Sequence, residues 1–115
     1  MIQGIGTDII AIKRIQELKN KEAFVKKILS QQEVLMFETF VSETRKNEFL
    51  AGRFAVKEAL YKAIGADYQG WEYADVVILN NEAGAPYLEF PKLKGIHLSI
   101  SHCREYATAF VVYEK

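Results

Sequence analysis

The sequence predicts an α+β fold in which an antiparallel sheet packs against a long central helix. Three observations predict it. Strand-like alternation opens the chain at residues 2–9, and a helical apolar pattern runs unbroken over about residues 44–64. The second half then breaks into short strand-like runs separated by turn residues. Strands grouped after helices, without regular βα alternation, place the chain among α+β folds.

In the opening strand, period-two alternation places Gly4, Gly6 and Asp8 on one face and Gln3, Ile5, Thr7 and Ile9 on the other. The glycines are expected to leave space beside Asp8. From about Ile10 the spacing of Ile12, Ile15 and Leu18 predicts a short amphipathic helix with a basic exposed side. Ser30 followed by Glu33 matches a capping box, starting a helix that carries Val34, Leu35 and Phe37. The polar run SETRKNE leads into the central helix, which is expected to stop near Gly65. Around that helix Phe49, Val56, Leu60 and Ala63 form one apolar face, and Leu50, Phe54 and Tyr61 form another, so it is buried on two sides.

ADVVIL and PYLEF, joined by the turn-rich NNEAGA, predict a hairpin. GIHLSIS alternates Ile96, Leu98 and Ile100 against His97, Ser99 and Ser101, and with ATAFVVY it makes a second hairpin with His102 at the turn. Packing the long helix on this sheet is the simplest arrangement.

The 115 residues are expected to form a single domain, residues 1–115. Fifteen Lys and Arg balance fifteen Asp and Glu, so no net field points to nucleic acid or a membrane surface. Cys103 is alone, which excludes an intrachain disulfide and a multi-thiolate metal site. With no signal-like start and no membrane-length apolar run, a cytoplasmic protein is expected.

Two carboxylates stand out, Asp8 beside glycines and Glu58 on the apolar helix. Each has an ordinary reading. Asp8 precedes a helix and suits an N-cap, and Glu58 precedes Lys62 by four residues, a helix ion pair worth about 0.2–0.5 kcal/mol. Taken together with Arg53, Lys57, Lys62 and His102, they also suit Mg²⁺ with phosphates: the ion uses one or two carboxylates, and cations hold the remaining phosphate charge. Spacing alone does not bring Asp8 and Glu58 together. His102 is equally a turn residue or a phosphate contact, and His97 reads as a solvated strand residue. Lys13 and Arg14 read, on charge pattern, as the solvated side of an amphipathic helix.

The motifs GIGTDI…I.RI, RKNEFLAGRFAVKEALYKAIG, GAPY and SISH…YA.A occur in this order. In identity and spacing they resemble, from end to end, the holo-acyl-carrier-protein synthases, the small single-domain members of the phosphopantetheinyl transferases. The resemblance implies that fold and a Mg²⁺-dependent transfer of 4′-phosphopantetheine from coenzyme A to a serine of apo-acyl carrier protein. Adenosine 3′,5′-bisphosphate would be the product. It implies Asp8 and Glu58 as metal ligands, with Lys62 and His102 beside them in catalysis. Arg53, Phe54, Lys62, Gly65 and His102 would contact coenzyme A, with Phe54 on the adenine side. Lys13, Arg14 and Arg45 would dock an acidic carrier protein, and the assembly would be a homotrimer with sites between subunits. The chain departs from the family pattern at Ala66, Asp67 and Tyr68, where a hydroxyl residue and another glycine are frequent, and at Cys103, where an oxygen-bearing residue is common. Between Leu18 and Lys27 its basic residues are all lysine. The rival readings are a metal-dependent nucleotide pyrophosphohydrolase and a coenzyme A-binding module without turnover.

Overall fold

The computed structural model describes Met1–Lys115. Its elements are β1 (Ile2–Ala11), α1 (Ile12–Gln16), α2 (Lys21–Ile28), α3 (Gln31–Thr39), α4 (Glu43–Ile64), β2 (Val77–Asn80), β3 (Pro86–Phe90), β4 (Ile96–His102) and β5 (Tyr106–Glu114). Single 3₁₀ turns follow α4 at Gly65–Asp67 and precede β2 at Tyr73–Asp75.

Both hairpins form, and the opening strand joins the second of them. The main sheet has the order β1-β5-β4, fully antiparallel with β5 in the middle, while β2 and β3 make a separate two-stranded ribbon. Strand alternation gives the main sheet one covered face. Ile10, Ala107, Ala109, Val111 and Tyr113 are buried on it, and α4 packs across it. The opposite face keeps Ile5 and Ile9 each 61% exposed and Phe110 47% exposed.

The glycines of β1 leave no space, contrary to the expectation. A Cβ at Gly4 would fall on the carbonyl oxygen of Ala63, and one at Gly6 on that of Ala59. Strand backbone therefore lies directly on helix backbone, with small residues on both sides of the contact. The N-cap reading of Asp8 also fails. β1 continues to Ala11, held by the pairs Ile9 with Thr108, Ile10 with Ala107 and Ala11 with Tyr106, so α1 begins later than its apolar spacing suggests.

α4 starts one residue before its expected position. Ser42 caps it by accepting from Arg45 N–H at 3.2 Å, and it ends at Gly65, whose φ of 54° is the positive value expected of a helix stop. The Ser30–Glu33 capping box is present, with Ser30 N–H donating to Glu33 Oε1 at 2.8 Å and Glu33 N–H to Ser30 Oγ at 3.3 Å. α2 is absent from the sequence reading, although four of the eight residues of KEAFVKKI are apolar. Its start is also marked by Asn20, whose side chain accepts from Ala23 N–H.

Gly6→Ala tests the strand-on-helix contact. Neither φ nor propensity opposes alanine there, so the cost is steric and should reach at least about 1–3 kcal/mol by overpacking. Urea unfolding of this variant beside Gly52→Ala, whose new methyl would meet only the Ile100 side chain at 3.1 Å, should show the larger loss at Gly6.

Candidate functional site

Asp8 lies on the covered face of β1, two residues past Gly6, where the close contact has brought the strand against α4. Lys62, one turn past Glu58 on that helix, donates to the Thr7 carbonyl at 2.9 Å and reaches Asp8 Oδ1 at 3.4 Å. Lys62 is thus engaged by the strand, and the helix ion pair with Glu58 does not form. Glu58 Oε1 accepts instead from the Tyr73 hydroxyl at 2.9 Å.

Tyr73 is bound to Glu58 and lies within reach of the charge of Asp8. Its phenol is pushed up to about 12, first by burial, then by the hydrogen bond to Glu58 and the negative charges of Glu58 and Asp8. Because Lys62 reaches Asp8 from one turn past Glu58, the two carboxylates border one locality, from a strand and a helix far apart in sequence. This donor set suits a hard cation: two carboxylates, Glu58 with one oxygen engaged by a phenol, and no cluster of three acidic, histidine or cysteine groups. Mg²⁺ asks for no more protein oxygen than this, because water and phosphate complete its shell.

The remaining predicted residues fall into separate places. Phe54 packs between Phe24 and Tyr73, with ring centroids 5.4 and 5.8 Å away. Gly65 and Lys62 border a recess with Asp67 and Tyr113. His102, the last residue of β4, lies with Nδ1 3.6 Å from Glu48 Oε2, in a cleft shared with Arg45, Gly52 and Arg53. Glu48 stands 10 residues before Glu58 on the same helix, about 15 Å along its axis. One chain therefore does not bring His102 against the Asp8–Lys62 group. The exposed Lys13 and Arg14 lie between the buried Ile12 and Ile15 on α1, which begins at the β4–β5 turn with Ile12 N–H donating to the Glu105 carbonyl. Arg45 stacks over Phe40 at 4.5 Å.

Lys57 corrects the sequence reading. It is wholly buried, and its Nζ donates to Glu33 Oε1 and to the carbonyls of Ile28 and Tyr73, leaving nothing for a phosphate. Arg53 is 5% exposed and donates to the Ile78 carbonyl and Asn80 Oδ1, with its Nε 3.5 Å from Glu33 Oε2. Burial lowers the pKa of both cations, and the charge of Glu33 opposes that shift in both.

Three residues of this region escape the sequence reading as site residues: Tyr73, Glu48 and the buried Glu33. Glu33 had a signal, the capping box, but that signal says nothing of burial. Tyr73 comes from an irregular segment with no periodicity to read, and Glu48 matters only because β4 crosses α4 there.

The fold agrees with comparisons to known proteins. The description "4′-phosphopantetheinyl transferase superfamily" matches residues 4–111, and the chain belongs to that superfamily. Within it, the chain is 44% identical to the holo-[acyl-carrier-protein] synthase of Oceanobacillus iheyensis, over 99% of this chain and 98% of that one. It is 43% identical to the synthase of Staphylococcus carnosus, over 100% and 99%. A crystal structure of a holo-(acyl-carrier-protein) synthase from Bacillus anthracis, in complex with CoA (3′,5′-ADP), superposes with a TM-score of 0.88 at 40% identity, covering 100% of this chain and 98% of that one.

Proposed function

We propose that this chain transfers 4′-phosphopantetheine from coenzyme A to a serine of apo-acyl carrier protein, with Mg²⁺, releasing adenosine 3′,5′-bisphosphate. The observation that carries the reading is the convergence of Asp8 and Glu58 beside Lys62, in a chain at least 43% identical over essentially its whole length to the holo-[acyl-carrier-protein] synthases of Oceanobacillus iheyensis and Staphylococcus carnosus. The bound CoA (3′,5′-ADP) of the Bacillus anthracis relative supports the choice of coenzyme and product.

In the reaction the serine oxygen bonds to the phosphorus that carries pantetheine. The pyrophosphate P–O bond breaks, and adenosine 3′,5′-bisphosphate leaves with the electron pair. When bound to Asp8 and Glu58, Mg²⁺ supplies Lewis-acid stabilisation of the charge building on the pyrophosphate. Lys62, 56% exposed at its side chain, is free to follow a phosphate oxygen as that charge develops. The serine proton passes to a carboxylate of the site or to water. Phe54, Gly65 and Arg53 line the coenzyme, and the work belongs to fatty acid biosynthesis in the cytoplasm.

The separation of His102 from the Asp8–Lys62 group favours a site completed by a neighbouring chain. The exposed Ile5, Ile9 and Phe110 on the uncovered sheet face supply an apolar surface for that assembly, which we propose is a homotrimer. The carrier docks on the basic side of α1, at Lys13 and Arg14, with Arg45 extending the surface.

Incubation with coenzyme A, Mg²⁺ and apo-carrier, followed by mass spectrometry of the carrier, tests the activity. Transfer adds the phosphopantetheine mass; cleavage of coenzyme A with the carrier unmodified would instead identify a pyrophosphohydrolase, and binding without any product a module lacking turnover. Asp8→Asn and Glu58→Gln should each reduce transfer at limiting Mg²⁺ by more than the about 10–100-fold typical of outer-shell changes. Full activity in either removes that residue from the metal site. Arg14→Glu should raise KM for the carrier while leaving KM for coenzyme A unchanged; equal change in both rejects α1 as the docking surface. Mixing Asp8→Asn chains with His102→Ala chains should restore transfer above either variant alone. A fully active monomer by light scattering at assay concentration would end the trimer proposal.

A further inference from the structure

Tyr73 belongs to none of the family motifs, yet both its ring and its backbone are held in place. On α4, Phe54, Glu58 and Tyr61 follow one another at positions i, i+4 and i+7 and so share a helix face. The Tyr73 ring packs against both flanking aromatics, with centroids 5.8 Å from Phe54 and 5.2 Å from Tyr61. Clamped between the neighbours of Glu58 on either side, the hydroxyl is directed at Glu58 Oε1 and donates to it at 2.9 Å. The Tyr73 carbonyl accepts from Lys57 Nζ at 2.9 Å and from Val76 N–H at 3.2 Å. Lys57 is itself immobilised by Glu33 and the Ile28 carbonyl.

We propose that Tyr73 is a positioning residue that fixes the Glu58 carboxylate for a divalent cation. This rests on the reading of Asp8 and Glu58 as metal ligands. Lys62, the cation one turn along α4, is drawn to Thr7 and Asp8, so Glu58 has a neutral hydroxyl on one oxygen and no cationic partner. Holding the side chain before the ion arrives removes the cost of ordering its rotors at binding. The phenol orients the carboxylate and leaves its charge in place, so that the second oxygen stays available to a hard cation. Hydrogen-bonding partners of metal-ligating carboxylates typically contribute about 10–100-fold to metal affinity.

The test uses Mn²⁺ as the probe, with coenzyme A present, free ion being followed by its electron paramagnetic resonance signal. Tyr73→Phe retains the ring and removes only the hydroxyl. The expected result is Mn²⁺ binding weakened about 10-fold, a higher KM for Mg²⁺ in the transfer assay, an unchanged KM for coenzyme A, and an unchanged melting temperature. Glu58→Asp supplies the second arm: its carboxylate is one methylene short of the hydroxyl, so adding Tyr73→Phe to it should cost no further affinity. Equal Mn²⁺ binding by the wild type and Tyr73→Phe overturns the proposal while leaving the metal reading intact, provided Asp8→Asn loses the ion. An equal loss from Tyr73→Phe with and without the Glu58→Asp change also overturns it, since that marks a general structural effect. Absence of Mn²⁺ binding by the wild type defeats the metal reading, and the role of Tyr73 with it.

Discussion

The close approach of β1 to α4 governs the geometry of the candidate site. A strand normally stands off a helix by the length of the side chains between them. Here Gly4 and Gly6 remove those side chains on one partner, and Ala59 and Ala63 reduce them to a methyl on the other. The strand is thereby lowered onto the helix just before Asp8. A carboxylate as short as that of Asp8 then comes within 3.4 Å of a helix lysine, and its charge is felt at the Tyr73 hydroxyl beside Glu58. The order of β1 residues thus has a mechanical sense: two glycines for proximity, then the acid that uses it.

On the other side of α4 the constraint is electrostatic. Glu33, Lys57 and Arg53 are all withdrawn from water, one anion between two cations. Such a group is costly to bury unless every polar atom is matched, and no buried side-chain nitrogen or oxygen here lacks a partner. Glu33 accepts from Ser30 and Ile78 N–H groups as well as from Lys57, which joins α3 to the start of β2 and both to α4. Replacing the anion by an apolar residue would strand two charges, so the triad is more a device for fixing the relative placement of these elements than a source of net stability. Its reach extends to the site because Lys57 also holds the Tyr73 carbonyl.

What could be read in the sequence divides along the same line. Period and caps made β1, α3, α4 and both hairpins legible, because local chemistry determines them: Ser30 with Glu33 at the start of α3, Gly65 at the end of α4. Asp8, Glu58 and Lys62 were legible as candidates, and the family motifs supplied the roles proposed for them. The meaning of the glycines was not, since a strand glycine is equally a gap or a contact until its partner is known. Nor was the fate of the cations on α4. Arg53 and Lys57, four residues apart, share a face that Lys62 does not, but spacing does not say which face is covered; packing buries the first two and leaves the third at the surface. Leu35 shows the reverse failure: apolar and helical, it is 67% exposed, while the charged Glu33 takes the buried position.

Lys62 shows how an acid and its counter-charge could share the proposed metal site. Its shorter bond, 2.9 Å, goes to the Thr7 carbonyl, and the 3.4 Å approach to Asp8 is the looser one. An ammonium so placed lessens the mutual repulsion of Asp8 and Glu58 when no dication is present, while competing with one that arrives. Competition is modest because the lysine side chain is more than half exposed, and a screened surface pair contributes only about 0–1 kcal/mol. A dication bringing phosphate with it would offer the ammonium a new anionic partner as it displaces the old one. The charge that faces Asp8 would then move to the substrate without leaving the site, and its tether on a four-carbon chain, rather than a rigid guanidinium fork, is what would permit the movement.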